Sequence, residues 1–287
     1  MSRSEGSPGF VQHDGVRIVE VTGSDARGWL NDLVTGPVGS LEPGRATRSL
    51  LLTPTGRIRA DFTVADVGAL TLLQDAAQPE AVDALLAPYV LSSDVELSDV
   101  SDRRTVFSVP GSEGTAVVSE GIDAFEPSIL GSGLGLLVER SLAPEVNQSL
   151  SSSMPVATPE ALERFRVEAG IPLYGTDFDA GALPAEAALE SAIDFTKGCF
   201  LGQESVAKVR NLGHPPTTLV ASGVASETAR GDGVYADGAE VGTVTSAATG
   251  DGRTILLARV RWDASRMELS LRNGTRLDRR SVNGKET

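Results

Sequence analysis

The sequence predicts an antiparallel α+β fold followed by a small C-terminal β-barrel. Two observations carry this. Helical and strand patterns mix along the first two hundred residues without a strict β-α-β alternation, which argues against a doubly wound parallel sheet. After His214-Pro215-Pro216 only β-branched runs remain, separated by Gly, Asp and Asn turns. A length of 287 residues suits two or three compact units with a sizeable core. The expected boundaries are 11–212 for the α+β region, as one body or as two interleaved lobes, and 216–287 for the barrel.

The elements follow in order. Met1 to Phe10 has no apolar signal core and reads as a short frayed leader. Ser24 is the expected cap of a helix whose apolar face is Ala26, Trp29, Leu30 and Leu33, ended by Gly36-Pro37. Residues 57–67 alternate Ile58, Ala60, Phe62 and Val64 with other residues, the period of a strand. Gly68 turns the chain into a second strand over 69–73. Pro79 opens a helix with Val82, Leu85, Leu86 and Tyr89 on one face. Short strands are expected at 95–100, 105–109, 115–119 and 134–139. Residues 147–158 hold four closely spaced serines and read as a linker or exposed loop. Thr158-Pro159-Glu160 caps a helix carrying Ala161, Leu162, Phe165 and Ala169, ended by Gly170. The barrel strands are expected at 218–220, 240–246, 254–262 and 267–271.

Acids outnumber bases 39 to 25, and the formal charge is −14. Such a surface repels nucleic acid and anionic membranes, so no direct nucleic-acid or membrane partner is expected. No apolar run approaches the roughly 20 residues that span a bilayer, and a cytoplasmic location is the expectation. The cluster Gly131-Ser132-Gly133-Leu134-Gly135 lacks the strand-then-helix setting of a dinucleotide loop and reads as hairpin glycines. His13 and His214 lie far apart without HExxH or paired cysteines, so no metal site is expected.

Cys199 is the only cysteine, which excludes an internal disulfide framework and suits a reducing compartment. Two of the three lysines, Lys197 and Lys208, flank it, and Arg210 and His214 follow. Cations beside a thiol favour the thiolate. Gly202 followed by Gln203 to Arg210 reads as a helix start with Gly at the cap. That would set Cys199 just before a helix N-terminus, where the dipole also favours negative charge. The alternative is a buried structural thiol. Lys197, Lys208 and Arg210 read either as a solvated face paired with nearby acids or as a seat for an anion.

The run Lys197-Gly198-Cys199-Phe200-Leu201-Gly202-Gln203-Glu204 matches every fixed position of K-G-C-[YF]-x-G-Q-E. Together with 165–177, Leu183-Pro184-Ala185-Glu186, Thr53 to Ile58 and Val241 to Ala247, it resembles the YgfZ family of folate-binding proteins. These are relatives of the glycine-cleavage T protein that act in iron–sulfur protein maintenance. The resemblance implies a T-protein-like folate-binding fold, antiparallel sheets with helices around a central opening, plus the barrel. It implies tetrahydrofolate or a derivative as cofactor, and iron–sulfur client proteins or assembly machinery as partners, with tRNA modification affected through client enzymes. Cys199 and Lys197 would be the functional thiol and the group that tunes it.

Glu168 would hydrogen-bond the pterin, as a carboxylate can accept two N–H bonds from an aminopyrimidine edge. Its other reading is an exposed helix-end acid. Tyr174 would line the same cavity or serve as a core aromatic. Gln203 and Glu204 would order the turn and helix start beside the ligand. Lys208 and Arg210 would receive a polyglutamyl folate tail. With one cysteine the monomer cannot offer four thiolates to a cluster.

Two alternatives stand: a folate-dependent aminomethyltransferase, or a non-enzymatic folate sensor. The first is weakened in residues 72–83. There the asparagine and lysine of the N-A-x-x-x-x-K-D pattern of T proteins are missing, and Asp83 falls within an expected helix.

Overall fold

The computed structural model describes residues 8–111, 120–250 and 252–280. It divides into two interleaved units: residues 1–52, 59–158 and 192–201 form the first, and 53–58, 159–191 and 202–287 the second.

The first unit holds β1 (Val11–His13), β2 (Val16–Thr22), α1 (Ala26–Leu33), β3 (Ala46–Leu52), β4 (Ile58–Val67), β5 (Ala69–Asp75), α2 (Val82–Leu86), β6 (Glu96–Asp99), β7 (Arg104–Val109), β8 (Ile122–Phe125), β9 (Leu134–Glu139) and α3 (Ala143–Ser151). Two sheets, in the orders β3-β4-β5-β2-β6 and β1-β7-β9-β8, pack together. Ile18, Ala65 and Leu73 of one sheet meet Val106, Phe125 and Leu137 of the other. The outer face of the larger sheet (Val19, Phe62, Val64, Leu72) is covered by Ala26 and Leu30 of α1 and Val82, Leu85 and Leu86 of α2. The outer face of the smaller sheet (Phe107, Val109, Leu136) is covered by Phe10 and by Ala143 and Val146 of α3.

This layering explains several departures from expectation. β4 is central and covered on both faces, so it is buried from Ala60 through Asp66 instead of alternating. Phe10, expected to belong to a frayed leader, is fully buried and donates its N–H to the Pro155 carbonyl. The serine-rich stretch begins as α3, not as a linker: Pro144 sits in its first turn and Val146 is buried. The hydroxyls of Ser152 and Ser153 cap its last carbonyls, those of Ser149 and Leu150. Ser24 is not the cap of α1. Asp25 holds that position, and the Ser24 hydroxyl donates instead to Asp94 at 2.8 Å. The helix expected from Pro79 is delayed to Val82. The strands β1, β2, β3 and β8 go beyond the elements expected from the sequence, and the expected strand at 115–119 lies outside the described residues.

The second unit holds α4 (Pro159–Glu168), α5 (Gln203–Leu212) and strands β10 (Thr217–Val224), β11 (Gly233–Ala236), β12 (Ala239–Gly250), β13 (Arg253–Arg261), β14 (Ser270–Leu271) and β15 (Asp278–Arg280). The strands form one antiparallel sheet in the order β14-β11-β12-β13-β10-β15. β11 and β15 are short and were not expected, and only the end of the strand expected at 267–271 forms. One face is a core of Val220, Val234, Val244, Leu256, Val260 and Leu269. On the other, Val167 of α4 packs on Leu219, Ala221, Ile255 and Leu257. α4 therefore buries Arg166 and Val167, one step around from the expected Leu162–Phe165 face.

Candidate functional site

Residues 192–201 belong to the first unit and carry the thiol. Thr35 anchors the start of the segment: its hydroxyl donates to the Ala192 carbonyl at 2.7 Å, and its own carbonyl accepts the Asp194 N–H at 2.9 Å. The Asp194 carboxylate then accepts the N–H and hydroxyl of Thr196, which tightens the turn and holds its acid below the usual carboxylate range. The Lys197 ammonium donates to the carbonyls of Asn31 and, at 2.6 Å, of Val34, at the C-terminal end of α1. It also lies 5.4 Å from the centre of the Phe200 ring. Phe200 is buried and meets Phe195 edge-on at 6.4 Å. Gly198, at φ +106°, makes the reversal between them, a conformation only glycine adopts cheaply. Cys199 is exposed, which removes the buried-thiol reading.

Burial lowers the Lys197 pKa to about 8, against opposing pulls from Asp32 and Asp194. The ordinary value is 10.5, so between the two the unfolded chain holds a proton that the folded chain has released. Stability from this site therefore rises with pH across that window and is lowest below it, where the folded state carries a buried charge. Thermal melts of wild type and Lys197→Met from pH 7 to 10 should show wild type gaining on the variant as pH rises. A pH-independent difference would overturn this assignment.

In the second unit, α5 starts at Gly202 with φ +83°, the expected glycine cap, four residues after Gly198. The turn Thr53 to Ile58 packs on its first turn. The Ser205 hydroxyl donates to the Pro54 carbonyl at 3.1 Å. A Cβ at Gly56 would come within 2.9 Å of Ser205, so the motif's glycine permits this approach. Gln203 is half-buried at the head of α5. Glu204 and Lys208 are exposed and pair with each other at 2.6 Å, one helical turn apart, and the lysine lowers the glutamate's pKa. Arg210 lies exposed in the last turn.

The 159–191 segment carries Glu168 and Tyr174. Glu168 is exposed at the end of α4, with one carboxylate oxygen 3.5 Å from Arg280. Tyr174 stacks edge-on against buried Phe178 at 5.5 Å, and its hydroxyl accepts the Ala180 N–H. Beneath them runs a buried polar network that sequence reading missed. Asp177 is fully buried and accepts four bonds: from Arg166 at 2.6 Å, the Leu173 N–H at 2.9 Å, Thr245 at 2.5 Å and Ser246 at 2.7 Å. A register shift between Val244 and Ser246 in β12 lets two neighbouring side chains reach the same carboxylate. Arg166 also holds Glu163 and the Ile171 carbonyl, and Arg259 donates to the Asp177 carbonyl. The only sequence signal was a charge at a helix position beside the apolar face.

Lys197 and Cys199 thus sit together in the first unit. In the second, Glu168 and Tyr174 lie on the 159–191 segment, and Gln203, Glu204, Lys208 and Arg210 lie on α5. Asp83 lies in the first turn of α2, as expected. Among the described residues no three His, Cys, Asp or Glu side chains gather as a metal cage, and no helix is long and apolar enough to cross a membrane.

Residues 7–128 match the GCVT N-terminal domain. The chain is 27% identical over 281 residues to an aminomethyltransferase of Streptomyces coelicolor, covering 84% of this chain and 75% of that one. It is 29% identical over 270 residues to an aminomethyltransferase of Geobacillus kaustophilus, covering 82% and 73%. It is 25% identical over 259 residues to an uncharacterized protein of Haemophilus influenzae, covering 85% of each. The crystal structure of the glycine cleavage system aminomethyltransferase T from Bartonella henselae superposes with a TM-score of 0.81 at 18% identity, over 96% of this chain and 85% of that one. The fold is that of the glycine-cleavage T protein, with a C-terminal antiparallel half-barrel. The domain match covers residues 7–128, and the named relatives are 25–29% identical over most of the chain.

Proposed function

We propose that this chain, alike to aminomethyltransferases in fold and over most of its length, is a YgfZ-like factor that binds a reduced folate and supports iron–sulfur enzymes through Cys199. One observation carries the reading. The only thiol of the chain is exposed in a K-G-C-F-L-G-Q-E loop whose flanking residues are anchored. A single thiol suits handing over or protecting a group, not scaffolding a cluster.

Glu168 fits the pterin edge by chemistry. It is exposed, and one of its carboxylate oxygens lies 3.5 Å from Arg280; a carboxylate has acceptor capacity for two further N–H bonds. The folate would supply one-carbon carrier chemistry. The chain's own residues bind and orient it. Glu168 reads the aminopyrimidine, Tyr174 offers an aromatic wall, and Gln203 and Glu204 shape the α5 start. Lys208 and Arg210 favour the anionic tail, although Lys208 already shares its charge with Glu204. The client enzymes, including those of tRNA modification, meet the chain from the reducing cytoplasm.

Calorimetric titration with tetrahydrofolate tests the ligand. Glu168→Ala should weaken binding by about 1.5–3 kcal/mol while the fold survives. Equal affinity would remove Glu168 from the site, and no binding by wild type would remove folate. Complementing a deletion strain with Cys199→Ala should fail to restore iron–sulfur enzyme activity; full restoration would remove the thiol. The second reading, a true aminomethyltransferase, is favoured by the names of the relatives. Activity in a reconstituted glycine cleavage assay would establish it over the accessory role.

A further inference from the structure

We propose that Lys197 is a positioning residue. Its ammonium staples the thiol-bearing loop to the C-terminal end of α1, so that Cys199 stands on a two-residue tip between two fixed pegs. The inference rests on the reading of Cys199 as the functional thiol.

The last carbonyls of a helix have no partner within the helix and carry partial negative charge. At α1 those of Asn31 and Val34 face one donor, the Lys197 ammonium, and the Asn31 side-chain oxygen adds a third acceptor at 3.5 Å. That same oxygen accepts the Gly39 N–H, so the staple ties the loop to the chain after α1 as well. Asp32 and Asp194 are the charged groups near the ammonium, one on α1 and one on the loop. The second peg is Phe200, 6% exposed, with Leu201 beside it packed against the α1 core. Only Gly198 and Cys199 lie between the pegs, and both are exposed.

A lysine two residues before a cysteine invites the view that its charge acts on the sulfur. Here the ammonium's bonds go to backbone carbonyls of another element, so the lysine's work is to fix where the sulfur stands. Lysine suits the task because its long stem reaches past Phe200 while its three donors serve converging acceptors.

The test uses the full chain with Lys197→Met and Lys197→Arg. Hydrogen exchange at residues 194–200 should speed at least tenfold in Lys197→Met and return close to wild type in Lys197→Arg, which keeps a charged donor. Complementation should follow the same order. Should Lys197→Met not fold, Lys197→Gln, whose neutral side chain ends short of the lysine nitrogen's position, gives the same reading. Unchanged exchange in the neutral variants overturns the staple. So does unchanged exchange with a shifted pH profile of Cys199 alkylation, which would return the lysine to the sulfur. If Lys197→Met loosens the loop but Cys199→Ala complements fully, the staple stands and only the thiol reading falls.

Discussion

Asp177→Ala should cost about 3–5 kcal/mol of stability, the largest effect of any single polar change considered for this chain. The side chain is wholly buried and satisfies four donors at once, from α4, its own loop and β12. Removing it strands the Arg166 guanidinium, itself 8% exposed, with Glu163 as its remaining acid. Asp177→Asn keeps the shape but forces an amide N–H₂ against at least one donor, and should cost about 1–3 kcal/mol. Urea denaturation of the three proteins checks the order. A loss under 1 kcal/mol for the alanine variant would mean that water replaces the carboxylate at little cost. The prediction bears on function because Arg166 lies two residues before Glu168, so the network that fixes α4 to the barrel also fixes the candidate pterin reader.

Phe200→Ala should be the second large loss, about 3 kcal/mol, at the low end for deleting a buried phenylalanine because the site lies near the surface. Its ring meets Phe195 and lies 5.4 Å from the Lys197 ammonium. The loss should show as early exchange of residues 194–201 ahead of global unfolding, since the peg holds one segment and not a whole sheet. Leu212→Ala, 86% exposed at the end of α5, is the control and should stay within about 0.5 kcal/mol. Equal effects at the two positions would show that the loop contributes nothing to the fold.

The sequence by itself determined the elements whose signals are local. Gly68, at φ +95°, turns β4 into β5 where expected. Gly202 caps α5, β9 spans the expected 134–139, and β10, β12 and β13 follow their β-branched runs. A turn glycine or a cap acts within a few residues, and a run of β-branched residues needs no distant partner to be read. The octapeptide was equally legible, because its side chains are consecutive.

Tertiary structure alone decided what depends on distant neighbours. β4 lost its alternation because two layers cover it, and a period of two reports only one covered face. The serine stretch became helix because Val146 had a sheet to bury against. Lys197 was read beside Cys199 in the chain, yet its bonds go to carbonyls 166 and 163 residues away. Nothing local in the sequence marks Arg166 and Asp177 as a buried pair, and a bulge in β12 supplies the hydroxyls that satisfy Asp177. A hydrogen bond between distant residues leaves no period in the sequence, so the partners of a charge emerge only when the chain has folded.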